Sequence, residues 1–359
     1  MLLRLIRELF RGRLRTGDLA RGDEIRQAFS ASDPGQASGL REVVLAAQPD
    51  DLDTLNITGV VAHRRGDRTC AVMQATKESS MSDRDRMRML LGDRPRFDVG
   101  VGGIGAAWRQ FFMAGAVQAL QRHNVTTPRI LEIGSWIGFS TLTWVKALQT
   151  HFPAGGTIVC VDPWEDYSFR NDVHGSEMTG TYRAMLASGL TYDLFIHNVS
   201  YVPKNILVQP LRGRSQDILP LLREGAFDMI FIDGDHAYDA VRRDIEQSMP
   251  LLRHGGILCG DDLDLEYEQC DADFAMRNRD AQPAMDPKTG RVFHPGVTIA
   301  VKEAFGKAGN FFGFWAVTRE ESGWAPFSFK DETCFVPDHV DPAQAEAVYK
   351  EFRRLGIVK

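Results

Sequence analysis

The order of apolar and polar positions divides the chain into two parts. The first hundred residues read as helical, and no strand-like run occurs before Ile130. A helical stretch from about Ala106 to Arg122, with Trp108, Phe111, Phe112 and Leu120 as its apolar contributors, leads into the second part. From Arg129 onward, short β-rich apolar runs alternate with helical patterns. The runs are Ile130–Ile133, Thr157–Val161, Ile206–Leu211, Met229–Ile232 and Ile257–Cys259, and the helices include Thr141–Leu148 and Tyr238–Leu252. Alternation of this kind predicts an α/β domain, with a parallel sheet covered by helices on both faces. Two later runs, Phe311–Val317 and Trp324–Phe329, suit an antiparallel edge pair, and Pro342–Leu355 suits a terminal helix.

Two features mark the N-terminal part. Residues Met1 to Thr16 interleave Leu2, Leu3, Leu5, Ile6, Leu9, Phe10 and Leu14 with Arg4, Arg7, Arg11, Arg13 and Arg15. This is a short basic amphipathic helix, suited to docking on the protein's own body or to lying on an anionic membrane surface. Further on, Gly59 and Ala71 would let two antiparallel helices approach closely, with Arg65-Gly66-Asp67 as the turn and Pro49 before them. Residues 49–80 thereby resemble one tetratricopeptide hairpin, which must pack on neighbouring helices because one repeat cannot bury its own face. A glycine-rich stretch, Gly100 to Gly105, suits either a domain boundary or a mobile loop on the cofactor side. The expected organisation is a helical region over 1–98, offering a surface for a protein partner or a second copy, followed by the α/β domain over 99–359.

Composition narrows the function classes. The chain has 359 residues, 43% hydrophobic and 25% charged, with a formal net charge of -6, which is ordinary for a globular protein and unlike a general nucleic-acid binder. Its five cysteines are scattered without a CxxC pair, which argues against a disulfide framework or a zinc site and fits a reducing cytoplasm. No stretch is long and apolar enough to span a bilayer. The expected location is therefore cytoplasmic, with peripheral membrane contact through residues 1–16 as a variant.

In an open parallel sheet, ligands bind beyond the carboxyl ends of the strands, where strand order reverses. The first strand ends in Glu132-Ile133-Gly134-Ser135-Trp136-Ile137-Gly138, where two glycines allow close backbone approach and Ser140 helps open the next helix. This is not the GxGxxG loop of a dinucleotide-binding protein. The second strand ends in Asp162, placed to accept hydrogen bonds from ribose hydroxyls, a feature that does not by itself choose among nucleoside cofactors. Trp164 follows, as a neighbour of the cofactor or as a core residue. The third strand leads to Ser215-Gln216, the fourth to Asp233-Gly234-Asp235-His236, and the fifth to Gly260-Asp261-Asp262. Several carboxylates thus converge at one edge. Uncompensated they would repel one another, and oxygen ligands of this kind suit magnesium, calcium or manganese.

These segments together resemble the class I S-adenosylmethionine (SAM) methyltransferases related to catechol O-methyltransferase, and Asp162-Pro163-Trp164 is similar to bacterial enzymes that methylate sugars and natural-product hydroxyls. The resemblance implies a Rossmann-like, mostly parallel seven-stranded sheet with an antiparallel edge strand. It implies SAM held by Glu132, Gly134, Ser135, Gly138, Ser140, Asp162, Trp164, Ser215, Gln216 and Asp233, with Ser215 and Gln216 at the adenine edge. It further implies Mg2+ or another divalent cation on Asp233, Asp261 and Asp262. His236 stands where the catechol enzymes hold a lysine base. It suits the role of general base beside Asp233, a group supporting the site, or a cap for the helix near Ala237. Asp235 suits a helix cap equally well.

The polar stretch from Leu263 to Val292 is long enough for a substrate lid, and His294 suits either an acceptor contact or a structural role. The expected activity is SAM-dependent methylation of a hydroxyl on a sugar or small secondary metabolite, assisted by a divalent cation. Three other readings stay open: a metal-independent methyltransferase using His236, an inactive domain whose N-terminal region recruits a partner, and a nicotinamide oxidoreductase.

Overall fold

The computed structural model describes residues 93–97, 107–165 and 185–358. The basic N-terminal segment, the tetratricopeptide-like stretch and the Gly100–Gly105 run lie outside the described residues.

The α/β expectation holds, with one more strand than anticipated. The main sheet has eight strands. They are β1 (Arg129–Ile133), β2 (Gly156–Asp162), β3 (Ile206–Arg212), β4 (Phe227–Ile232), β5 (Leu252–Gly260), β8 (Gly309–Phe311), β9 (Phe314–Glu320) and β10 (Gly323–Pro326). Their spatial order is β10-β9-β5-β4-β1-β2-β3, and β8 pairs with β9. Strands β3, β2, β1, β4 and β5 are parallel, while β9 runs antiparallel to β5, β8 and β10. Chain order reverses between β1 and β4, so the crevice at their carboxyl ends is the switch point where such sheets take ligands.

The extra strand arises because the apolar run from Phe311 to Val317 is two strands rather than one. Phe312 and Gly313 both take positive φ, 60° and 99°, and turn the chain between β8 and β9. Such a tight turn is concealed in a sequence of consecutive aromatics.

Residues of alternate parity cover the two faces. Ile130, Ile158, Cys160, Met229, Phe231, Ile257 and Cys259 join one core with α1 (Ala107–Gln118), α2 (Phe139–His151) and α8 (Pro342–Arg354). Their neighbours Leu131, Ile133, Ile230, Ile232 and Leu258 are buried as well, as a parallel sheet covered on both sides requires. The remaining helices are α3 (Leu190–Val199), the single turn α4 (Ser215–Ile218), α5 (Tyr238–Ser248), α6 (Ala272–Arg277) and α7 (Pro295–Phe305). Helix α5 stops short of its expected end at Leu252 because Pro250 breaks the ladder, leaving a 3-10 turn over Met249–Leu251.

The stretch from Leu263 to Val292 is folded rather than a structureless lid. It carries α6, capped by Asp271 through the Phe274 N–H, and a two-stranded hairpin, β6 (Ala284–Met285) with β7 (Val292–Phe293). Asp286 is fully buried there and accepts from the Asp271 and Thr289 backbone N–H groups. Leu265, Cys270, Ala275, Phe293 and Ile299 form a small core beneath it.

Candidate functional site

The loop after β1 is tied to both neighbouring strands. Gly134 N–H donates to Val161 O at 2.9 Å, and Ile133 O accepts from Asp233 N–H at 2.8 Å. Gly134 has φ 86°, and a Cβ there would lie 1.9 Å from Asp233 O. Only glycine lets the loop pass so close to the end of β4. Gly138, also at positive φ, precedes α2 directly.

Glu132 is fully buried, and its carboxylate turns under the loop. It accepts from Ser135 Oγ at 2.7 Å, from Thr141 Oγ1 and from Trp144 Nε1 at 2.9 Å, and Ser140 also bonds to it. Burial raises its pKa, and these donors pull it back. Glu132 therefore shapes the loop from beneath, with Ser135 and Ser140 turned toward it.

Asp162 is almost fully buried and accepts from the Trp136 N–H at 2.9 Å and the Trp164 N–H at 2.7 Å. Burial pushes its carboxyl up to about 6, against the pull of those N–H groups. With a third backbone bond from Ser135, one of the about four acceptor sites of the carboxylate remains. Trp164 takes the core alternative: it is fully buried, donates Nε1–H to Trp136 O at 2.6 Å and packs on Phe195 with ring centroids 4.7 Å apart. Ser215 opens α4 and hydrogen-bonds to Asp244, a buried α5 carboxyl that sequence reasoning missed. Gln216 is exposed and accepts from Arg243 at 2.7 Å.

The carboxylate edge forms where β4 and β5 end. Asp261 N–H donates to Ile232 O at 3.2 Å, which brings both strand ends together. Asp262 has φ 63°, a left-handed backbone unusual for a residue other than glycine. His236 Nε2 lies 3.1 Å from Asp262 Oδ2 and 3.4 Å from Asp233 Oδ1. The His294 ring is centred 4.8 Å from that of His236, and its Nδ1 lies 2.9 Å from Asp264 Oδ2. The first turn of α7 supports this corner, since a Cβ on Gly296 would meet His236 O at 2.3 Å. Asp235 accepts from the Ala237 N–H at 2.9 Å and from Gln282, so it holds the turn before α5 rather than capping the helix itself. A small cleft opens here, lined by Asp233, Gly234, Asp235, His236, Val241, Asp261, Val297 and Trp315.

One residue unforeseen in the sequence dominates the electrostatics. Arg109 reaches from α1 across the sheet edge. Its Nη1 lies 2.8 Å from Asp261 Oδ1 and 2.6 Å from Asp262 Oδ1, and its Nη2 lies 2.6 Å from Asp264 Oδ1. Its Nε–H donates to Phe312 O at 3.1 Å. Burial opposes the guanidinium charge, but the three carboxylates more than offset it and raise its pKa. Asp262 is held well below the usual carboxylate range, because His294, His236 and Arg109 together outweigh its burial. Burial raises Asp233, which lies beside the Asp261 and Asp262 charges. The sequence signal for Arg109 was present: it is the one charged residue of α1, Ala-Trp-Arg-Gln-Phe-Phe-Met-Ala-Gly-Ala-Val-Gln.

The residues expected to hold a divalent cation fit that group poorly. An ion shared by Asp261 and Asp262 would sit about 2.1–2.5 Å from each oxygen. Arg109 Nη1 lies on that side of both carboxylates and carries charge of the same sign. Ligand atoms of His236, Asp262 and His294 lie within 4.8 Å of one another, and this set shares Asp262 with Arg109.

Residues 131–263 match the family model described as a methyltransferase domain. No curated protein matches the chain. Among solved structures, the O-methyltransferase NovP is 16% identical, covering 59% of this chain and 80% of its own, with a TM-score of 0.42. The O-methyltransferase from Bacillus cereus, in complex with SAH, is 17% identical over 68% of this chain and 93% of its own, TM-score 0.32. CalS11, a TDP-rhamnose 3'-O-methyltransferase, is 17% identical over 62% and 84%, TM-score 0.30. Likenesses this weak carry no inference about this chain. Among the described residues, no helix is long and apolar enough to cross a membrane.

Proposed function

With residues 131–263 matching a methyltransferase domain as premise, we propose that the protein is a SAM-dependent O-methyltransferase acting on a hydroxyl of a sugar or small secondary metabolite. The observation that carries this reading is the placement of His236 between Asp233 and Asp262, at the carboxyl edge beside the Gly134 loop. The loop and the acceptor site left on Asp162 suit a nucleoside with ribose hydroxyls, and Ser215 and Gln216 stand at the next strand end.

When bound, SAM supplies an electrophilic methyl on a sulfonium. The chain's part is to present the acceptor oxygen and take its proton. In its neutral form His236 Nε2 receives that proton, so methyl transfer rises as pH climbs toward the His236 pKa, and Asp262 and Asp233 stabilise the imidazolium that results. The oxygen–carbon bond forms as the carbon–sulfur bond breaks in line, leaving S-adenosylhomocysteine (SAH) and the methyl ether. No step is routed through a divalent cation, since Arg109 lies on the oxygens of Asp261 and Asp262.

The test is calorimetry on the full chain with SAH and, separately, with NAD. Binding of SAH without NAD is the expected result. Binding of NAD without SAH would return the nicotinamide alternative.

A further inference from the structure

The guanidinium of Arg109 has a site prepared for it. Gly313 has φ 99°, and a Cβ there would lie 2.7 Å from Arg109 Nη2 and 2.8 Å from Nε. A side chain at 313 would push the guanidinium away. Phe312 offers its carbonyl to Nε–H at 3.1 Å, on a hairpin turn that also gives Gly313 O to the Leu263 N–H at 3.0 Å. The left-handed backbone of Asp262 accompanies a carboxylate placed between Arg109, through Oδ1 at 2.6 Å, and His236, through Oδ2 at 3.1 Å. The Arg109 side chain is 13% exposed, and those of Asp261, Asp262 and Asp264 are 7%, 14% and 19% exposed. Three neighbouring carboxylates so far from water require a positive partner. In this chain the partner is a side chain delivered by α1.

We infer that Arg109 takes the place of a divalent cation at the β4–β5 edge, so that the enzyme holds its acidic cluster together without a metal. The planar fork of an arginine suits this task, since one guanidinium bridges Asp261, Asp262 and Asp264 at once. Guanidinium and ion exclude each other, through overlap on the Oδ1 atoms and through like charge. Arg109 acts here as a positioning residue. It fixes Asp262, which in turn faces the base His236.

The inference extends the methyltransferase reading, and it is tested by metal binding alone. Full-length wild-type protein and Arg109→Gln are titrated with Mn2+, with the free ion followed by electron paramagnetic resonance. The expected result is negligible uptake by the wild type and an affinity gain of about tenfold or more in Arg109→Gln, because three carboxylates lose their cation. Arg109→Lys keeps a cation and should resemble the wild type. If Arg109→Gln folds poorly, Mn2+ should raise its melting temperature and leave that of the wild type unchanged. Mn2+ uptake by the wild type as tight as that of Arg109→Gln overturns the inference, and so does an Arg109→Gln protein that gains neither affinity nor thermal stability from Mn2+. SAH calorimetry on the same samples reads the methyltransferase proposal separately, so the failure of one is distinguishable from failure of the other.

Discussion

His236 and Asp262 face each other across the ends of β4 and β5, with Nε2 3.1 Å from Oδ2. Burial works against a charged imidazole, but Asp262 first and Asp233 next more than offset it, and the His236 pKa rises to about 9. The ring is therefore protonated at neutral pH in the free protein, and it becomes a base as pH climbs through that value. In an NMR titration of the imidazole, the His236 midpoint should fall near 9, and Asp262→Asn should move it down toward 6.5, the ordinary value. A wild-type midpoint at the ordinary value, unmoved by Asp262→Asn, would show that Asp262 does not hold the imidazolium.

Asp244 gives a separate pH signature. Burial lifts its carboxyl to about 7 from an ordinary 3.8, against the Ser215 hydrogen bond and the Arg243 charge. The folded chain thus binds this proton more tightly than the unfolded chain. Its contribution to stability is complete below about 4 and is lost as pH rises toward about 7. Asp244→Asn removes the ionisation, so the variant should be more stable than the wild type above pH 7 by about 1–4 kcal/mol. The gap should close in acid. Denaturant melts at several pH values check this, and a gap independent of pH would contradict it.

Gly134→Ala should be disruptive out of proportion to one methyl group. It meets a positive φ and a backbone oxygen 1.9 Å from the new Cβ at once. A loss of about 2–4 kcal/mol in thermal or denaturant unfolding is expected, because the strand ends cannot separate cheaply. SAH affinity should fall with it.

Asp162→Ala should weaken SAH by about 10- to 100-fold, the value of hydrogen bonds to a charged acceptor. It also frees the Trp136 and Trp164 N–H groups that shape the loop. Calorimetry with SAH measures the first effect, and unchanged affinity would move the ribose away from Asp162.

The features legible in the sequence were those built from consecutive residues. Short β-rich apolar runs such as Met229–Ile232, alternating with helical patterns, read as strands covered on both faces, and polar residues following them directly lie at the sheet's edge. The positions of Asp162, Asp233, Asp261 and Asp262 follow from that alone. Features produced by distant segments were hidden. Arg109 is the one charged residue of an apolar helix, and only the folded chain brings it to Asp261. Trp164 is ambiguous for a similar reason, since α3 decides that its ring belongs to the core. The hairpin over 284–293 has two-residue strands, too short for a period of two to register.

Arg109 also lies upstream of the segment that matches the methyltransferase family. A fragment limited to residues 131–263 would keep Asp261 and Asp262 and lose the guanidinium that quiets them. The charge balance of the edge is thus written in two distant stretches of the chain. On the inference drawn above, a descendant that loses Arg109 becomes dependent on ions in its surroundings, whereas a chain that keeps it carries its own cation, whatever its habitat provides.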